Sequence, residues 1–207
     1  MAKKSSVLLI SLIGTALVTV AVGSPATKPQ HKADKMATLP PQTRYLPEYT
    51  ASGQLMLPKN NIWRDWVYLG SPLTPNALNG GKAGFPEHHN VYMEPGSYEI
   101  FKKTGEFPEG TIMFKELQLT LSGENPDGSR TEPSERGYFP GAFNGADVSV
   151  KDTKLYAATN GWGYFTFGHH EPKTPTAELQ PKSQCAFCHI ANATKDMTFT
   201  EFYRLLD

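Results

Sequence analysis

Cysteine is nearly missing from the 207 residues: Cys185 and Cys188 are the only two. A tetrahedral zinc site would therefore need two further ligands, with His169, His170 or His189 completing the set. Net charge is missing as well. Lysine plus arginine and aspartate plus glutamate balance at 20 each, which offers neither a basic surface for nucleic acid nor an acidic tail. Charged residues reach only 19%, and the chain has no internal repeat. Long apolar runs are absent except for Val7 to Val22. That run follows Lys3 and Lys4 and ends near the small residues Gly23, Ser24 and Ala26, the pattern of a secretory signal. At about 16 residues it is short for a membrane span. The expectation is a signal peptide over residues 1–23 and a periplasmic protein, with an uncleaved anchor as the alternative.

What the chain has instead is glycine (18), proline (17) and aromatics (11%). Such a composition favours short strands and turns over a helical bundle. Residues 24–52 are rich in Pro, Lys, Thr and Gln and read as a flexible linker, with Tyr45 and Tyr49 able to dock on the domain edge. The domain is expected over 53–207. Trp63, Trp66 and Val67 suit a short helical turn entering a strand, Val91–Met93 a strand, and Ser97–Lys103 a short helix stopped at Thr104-Gly105. Ser122–Arg136 reads as a mobile polar loop and Phe143–Gly145 as a turn. Gly161–Gly168 is an aromatic strand, able to line a flat cofactor but more simply a core strand. Thr198 and Glu201 have the spacing of a capping box, and Phe199, Phe202, Tyr203 and Leu206 that of a last helix.

Two strands carry polar residues of interest. Alternation from Met113 to Leu121 groups Lys115 with Met113, Leu117 and Leu119 on an apolar face. Such a lysine either snorkels to water from a strand edge or has its amine held in the core, where desolvation frees the nitrogen for chemistry. From Ala146 to Val150, alternation sets Asp147 with Ser149 and Lys151, opposite Ala146, Val148 and Val150. By pattern alone Asp147 is a solvated carboxylate.

The two cysteines belong to Cys185-Ala186-Phe187-Cys188-His189, the C-x-x-C-H pattern of covalent haem attachment. Two thiols three positions apart reach the vinyl groups on one edge of a porphyrin, and the following imidazole ligates the iron. Zinc, a thioredoxin-like redox pair and a small-loop disulfide are the competing readings, although no strand-helix-strand unit surrounds the motif. A second axial ligand has no diagnostic spacing. Met197 is too near in sequence, while Met56, Met93, Met113, His31, His88, His89, His169 and His170 all lie upstream. An open distal site favours binding or catalysis over electron carriage.

Many short matches in order make residues 53–207 resemble the cytochrome P-460 family. They include Trp66 to Gly70, Thr74-Pro75-Asn76, Gly81-Lys82-Ala83, Thr104-Gly105-Glu106-Phe107, Lys115-Glu116-Leu117, Ser149-Val150-Lys151-Asp152, the C-x-x-C-H and Asp196-Met197. The resemblance implies a mainly β (α+β) fold, an antiparallel sheet with short helices and a C-terminal helix beside the haem motif, usually as a homodimer. It implies one haem c held by Cys185 and Cys188, with its iron on His189, and a bond from the Lys115 nitrogen to a porphyrin meso carbon. It also implies an enzyme that oxidises hydroxylamine to nitrous oxide through a haem nitrosyl, passing electrons to a partner such as a soluble cytochrome. Asp147 stands where the family's pocket glutamate stands and is one methylene shorter. His89 stands where some members have a distal arginine. The related cytochromes c′-beta, which lack the crosslink and bind nitric oxide or carbon monoxide, give the alternative.

Overall fold

A computed structural model describes residues 44–207. The expected signal and most of the linker lie outside the described residues. Residues 44–52 lie against the domain: the Tyr45 ring sits 5.5 Å from that of Trp66, and the Tyr49 and Tyr156 hydroxyls are hydrogen-bonded at 2.8 Å.

In chain order, β1 (Leu55–Met56) and a 3₁₀ segment (Lys59–Asp65) precede β2 (Val67–Gly70). Next come β3 (His88–Met93), α1 (Pro95–Thr104) and β4 (Ile112–Thr120). A small hairpin of β5 (Arg130–Glu132) and β6 (Glu135–Gly137) leads to β7 (Pro140–Lys151) and β8 (Trp162–His169). The chain ends with β9 (Thr176–Ala177), α2 (Ala186–Asn192) and two 3₁₀ turns, Thr200–Phe202 and Arg204–Leu206. Five strands form one antiparallel sheet in the order β2-β3-β4-β7-β8, and β1 pairs with β9. The fold is the mainly antiparallel β architecture with short helices that the composition and the resemblance imply.

Both faces of this sheet are covered. One face carries Ile112, Phe114, Ala146, Val148, Val150, Phe165 and Phe167 against Trp63 and Trp66. Trp63 stacks on Phe114 with ring centres 4.2 Å apart. The other face carries Val91, Met93, Met113, Trp162 and Tyr164 against Phe101, Phe107, Ala186, Met197 and Leu206. Full burial of each large side chain contributes about 1.5–3 kcal/mol. Helix α1 starts at Pro95 because the buried Glu94 carboxylate caps it, accepting from the Gly96 and Ser97 amides at 2.9 and 2.6 Å. It stops where Gly105 turns left-handed, φ 73°.

Four local expectations change. Alternation on β4 makes the Glu116 side polar, yet Glu116 is fully buried. Arg64 holds it through two bonds of 3.0 and 2.8 Å, and Lys173 adds another at 2.8 Å. Residues 122–136 are not simply a loop: they contain the β5–β6 hairpin, braced where Asp127 accepts from Ser129 and Arg136. Phe143–Gly145 is not a turn but part of β7, where the register shifts. The last helix is two 3₁₀ turns, and the capping box is not made. Instead Thr198 Oγ1 donates weakly to the Asp196 carbonyl, and Glu201 accepts from Thr194.

Candidate functional site

Strand register brings the singled-out residues together. Lys115 pairs with Asp147 across β4–β7 and with Val91 across β3–β4, while His89 pairs with Leu117. Directly opposed residues share a face. His89, Lys115 and Asp147 therefore all project to the sheet face on which α2 and the 195–206 segment pack. That is the face carrying Cys185, Ala186 and Met197 in the second core.

Lys115 is not a strand-edge lysine, since β4 is the central strand. Its ammonium lies 2.8 Å from Asp147 Oδ2 and 4.2 Å above the Phe85 ring. Asp147 is not solvated either; its side chain keeps 18% exposure. The face that periodicity assigns to solvent is a second core. Burial works to raise the Asp147 carboxyl pKa, but the Lys115 ammonium and the His169 ring outweigh it and hold the carboxyl far below the usual range. His169 Nδ1 lies 3.2 Å from Asp147 Oδ1. The bulge between Gly145 and Asp147 aims the carboxylate at this ring. It needs glycine at its closest point, because a Cβ on Gly145 (φ 87°) would meet the Gly168 carbonyl oxygen at 1.7 Å.

His89 packs edge-on against Phe85 at 5.4 Å, and its Nε2 is buried without a partner among the described residues. Burial and the nearby Lys115 charge push its pKa down to about 4. His89 is thus a neutral ring at pH 7, poorly suited to carry a proton as imidazolium. Next to it, His170 Nδ1 binds the buried Glu87 carboxylate.

On the motif side, Cys185 and Cys188 are free thiols, three residues apart at the start of α2. Burial, then the Asp147 charge, raises the Cys185 pKa, with Lys115 opposing. The ion pair and the motif therefore feel each other's field. His189 Nδ1 donates to the Met197 carbonyl at 2.7 Å. That bond fixes the tautomer and leaves Nε2 with its lone pair free. Burial, then Lys115, lowers the His189 pKa and keeps the ring neutral. The Met197 carbonyl is aimed by a two-residue turn in which Asp196 (φ 43°) and Met197 (φ 62°) are both left-handed. Lys195 and Thr198 close the turn through reciprocal backbone bonds. Asp196 is anchored by Lys151 and by Trp162 Nε1, the latter at 3.1 Å.

The donor set fits a c-type haem: two unpaired thiols at the required spacing and a neutral imidazole with Nε2 available. It fits zinc poorly. Among the described residues no group of three or more His, Cys, Asp or Glu side chains converges on a metal position. Sequence reasoning did not foresee His169 as the partner of Asp147, Phe85 as the ring over Lys115, or the Lys151–Asp196–Trp162 anchor. These contacts depend on a bulge and a tight turn, and neither has a periodic signature.

Residues 60–200 match the family model described as cytochrome P-460. No curated protein matches the chain.

Proposed function

Because the chain belongs to the cytochrome P-460 family, and is therefore a haem protein, we propose that it is a periplasmic, homodimeric monohaem c-type enzyme that oxidises hydroxylamine to nitrous oxide. The observation that carries this reading is the placement of Lys115 and Asp147 on the sheet face that receives Cys185 and His189. In this reading Cys185 and Cys188 would hold the haem by thioethers, His189 would ligate its iron, and Lys115 would bond the porphyrin. When bound, the haem would supply an iron able to bind the hydroxylamine nitrogen and to accept electrons. A partner such as a soluble cytochrome would receive the electrons.

The protein's own residues handle the protons. Turning two hydroxylamines into one nitrous oxide and one water releases four electrons and four protons, so a base must sit at the site. Asp147 is that base. Paired with a lysine ammonium it is a weak one. Once the lysine nitrogen is committed to the ring, the largest remaining influence on the carboxylate is its own burial, which raises its proton affinity. His89, neutral and with Nε2 unpartnered, can accept a hydrogen bond from the substrate.

The visible spectrum of the purified ferrous protein, made with its haem-maturation machinery, is the first test. A Soret band far to the red of ordinary c-type haem, lost in Lys115→Ala, supports the crosslink and precedes hydroxylamine assays. An unchanged spectrum in Lys115→Ala refutes it. A second reading, binding of nitric oxide or carbon monoxide in the manner of cytochromes c′-beta, is favoured by one observation. Asp147 engages the Lys115 nitrogen at 2.8 Å, an ion pair that a bond to the porphyrin would have to break. An ordinary high-spin c-type spectrum selects that reading.

A further inference from the structure

A buried base that accepts protons must also give them up, and the surroundings of Asp147 are closed on most sides. Lys115 occupies one carboxylate oxygen, the sheet lies behind, and Phe85 covers the lysine. The other oxygen meets His169 at 3.2 Å, and the His169 side chain retains 35% exposure at the end of β8. It is the half-exposed titratable ring bonded to this carboxylate. Among the described residues, the other ionisable groups near it are Lys115 on β4, Glu87 and His89 at the start of β3, and its neighbours His170 and Glu171. Of these, His170 is bound to Glu87, and His89 is held neutral beneath Phe85.

We propose that His169 is the proton outlet of the site, taking protons from Asp147 on Nδ1 and releasing them to water from Nε2. The step rests on the hydroxylamine reading for its substrate but not for its geometry. Protonated Asp147 gives its O–H proton to the Nδ1 lone pair and returns to carboxylate. The imidazolium then loses the Nε2 proton to solvent, and the ring resets by exchanging tautomers through water. No electrons move. The left-handed His170 (φ 59°) and the glycines at 145 and 168 fix the strand end so that the ring spans from buried carboxylate to surface. His169 acts through Asp147, so its role must be separated from simple steadying of the carboxylate.

The decisive variant is His169→Gln in the haem-loaded protein, which keeps a hydrogen bond to Asp147 but cannot carry a proton. Two rates are read across the neutral pH range: hydroxylamine turnover and association of hydrogen cyanide with the ferric protein. Hydrogen cyanide must shed its proton to bind as cyanide and so uses the same outlet. His169→Gln slows both by about tenfold or more, on the low side of what positioned acid–base groups contribute. His169→Ala loses as much and regains rate when imidazole is added. Haem content and melting temperature, unchanged in His169→Gln, show that folding is not the cause. Wild-type rates and pH profile in His169→Gln overturn the proposal. A wild-type protein that takes cyanide but leaves hydroxylamine untouched fails the hydroxylamine reading alone, and the outlet is then decided by cyanide.

Discussion

Replacing Asp196 by alanine tests whether the turn beneath His189 is held under strain. In the native protein Asp196 and Met197 both occupy the left-handed region, which disfavours each by about 1–2 kcal/mol for a non-glycine residue. Against that, the Asp196 carboxylate pairs with Lys151 and accepts from Trp162 Nε1. Hydrogen bonds to a charged group contribute about 1.5–3 kcal/mol. The Lys151 side chain is only 12% exposed, so its ammonium would be left largely desolvated and unpaired. Discounting for the partial exposure of Asp196, the loss is about 3 kcal/mol, or about 6–12 °C in melting temperature for a domain of this size. Asp196→Asn keeps the Trp162 bond and tolerates the left-handed conformation, so it loses about half as much. The functional readout is the iron–imidazole stretch of the ferrous haem protein. Alanine frees the Met197 carbonyl from His189 Nδ1, and the band shifts and broadens. An Asp196→Ala protein that melts within 2 °C of wild type with an unmoved band refutes the reasoning.

Three further outcomes follow from the site and its supports. Asp147→Ala slows hydroxylamine oxidation while leaving haem attachment intact, and full retained turnover removes Asp147 from the mechanism. His89 has its pKa depressed to about 4 from an unfolded value near 6.5, so its contribution to stability is complete above about pH 6.5 and is lost as pH falls toward 4. Denaturant unfolding should show a loss of about 2 kcal/mol between pH 7.5 and 5, and His89→Gln should remove that part of the acid sensitivity. Glu116→Leu leaves Lys173, whose side chain is 17% exposed, and the more exposed Arg64 without their carboxylate and should cost about 1–3 kcal/mol; a near-neutral result would show that both cations turn to water.

The haem motif and the faces of β4 and β7 were readable because both have fixed spacing: thiols three positions apart, and side chains on one strand face two positions apart. The same period-two argument placed Lys115 and Asp147 on opposite sides of their strands from Phe114 and Val148, and the register confirms that grouping. What it could not say was that both faces are covered. An alternating pattern looks alike whether the polar residues meet water or meet each other, and Glu116 and Asp147 each found cations rather than solvent. His169 was out of reach for a related reason. Its contact with Asp147 exists because β8 carries one extra residue between Thr166 and His169, opposite Gly145 to Asp147, and a bulge breaks the periodicity on which sequence reading depends. The family resemblance names Asp147 without supplying its neighbour.

The five strands of the main sheet lie between Val67 and His169, whereas the two thiols and the turn that aims His189 come after residue 184. A chain is made from its N-terminus, so these strands are synthesised before the motif. Every residue of the wall that pairs Lys115 with Asp147 is therefore made before the segment that carries the two thiols. On the proposed c-type reading, cofactor loading would then be the last act of assembly: the wall comes first, and the final stretch of chain, about two dozen residues by the strand and helix boundaries, would bring the haem to it.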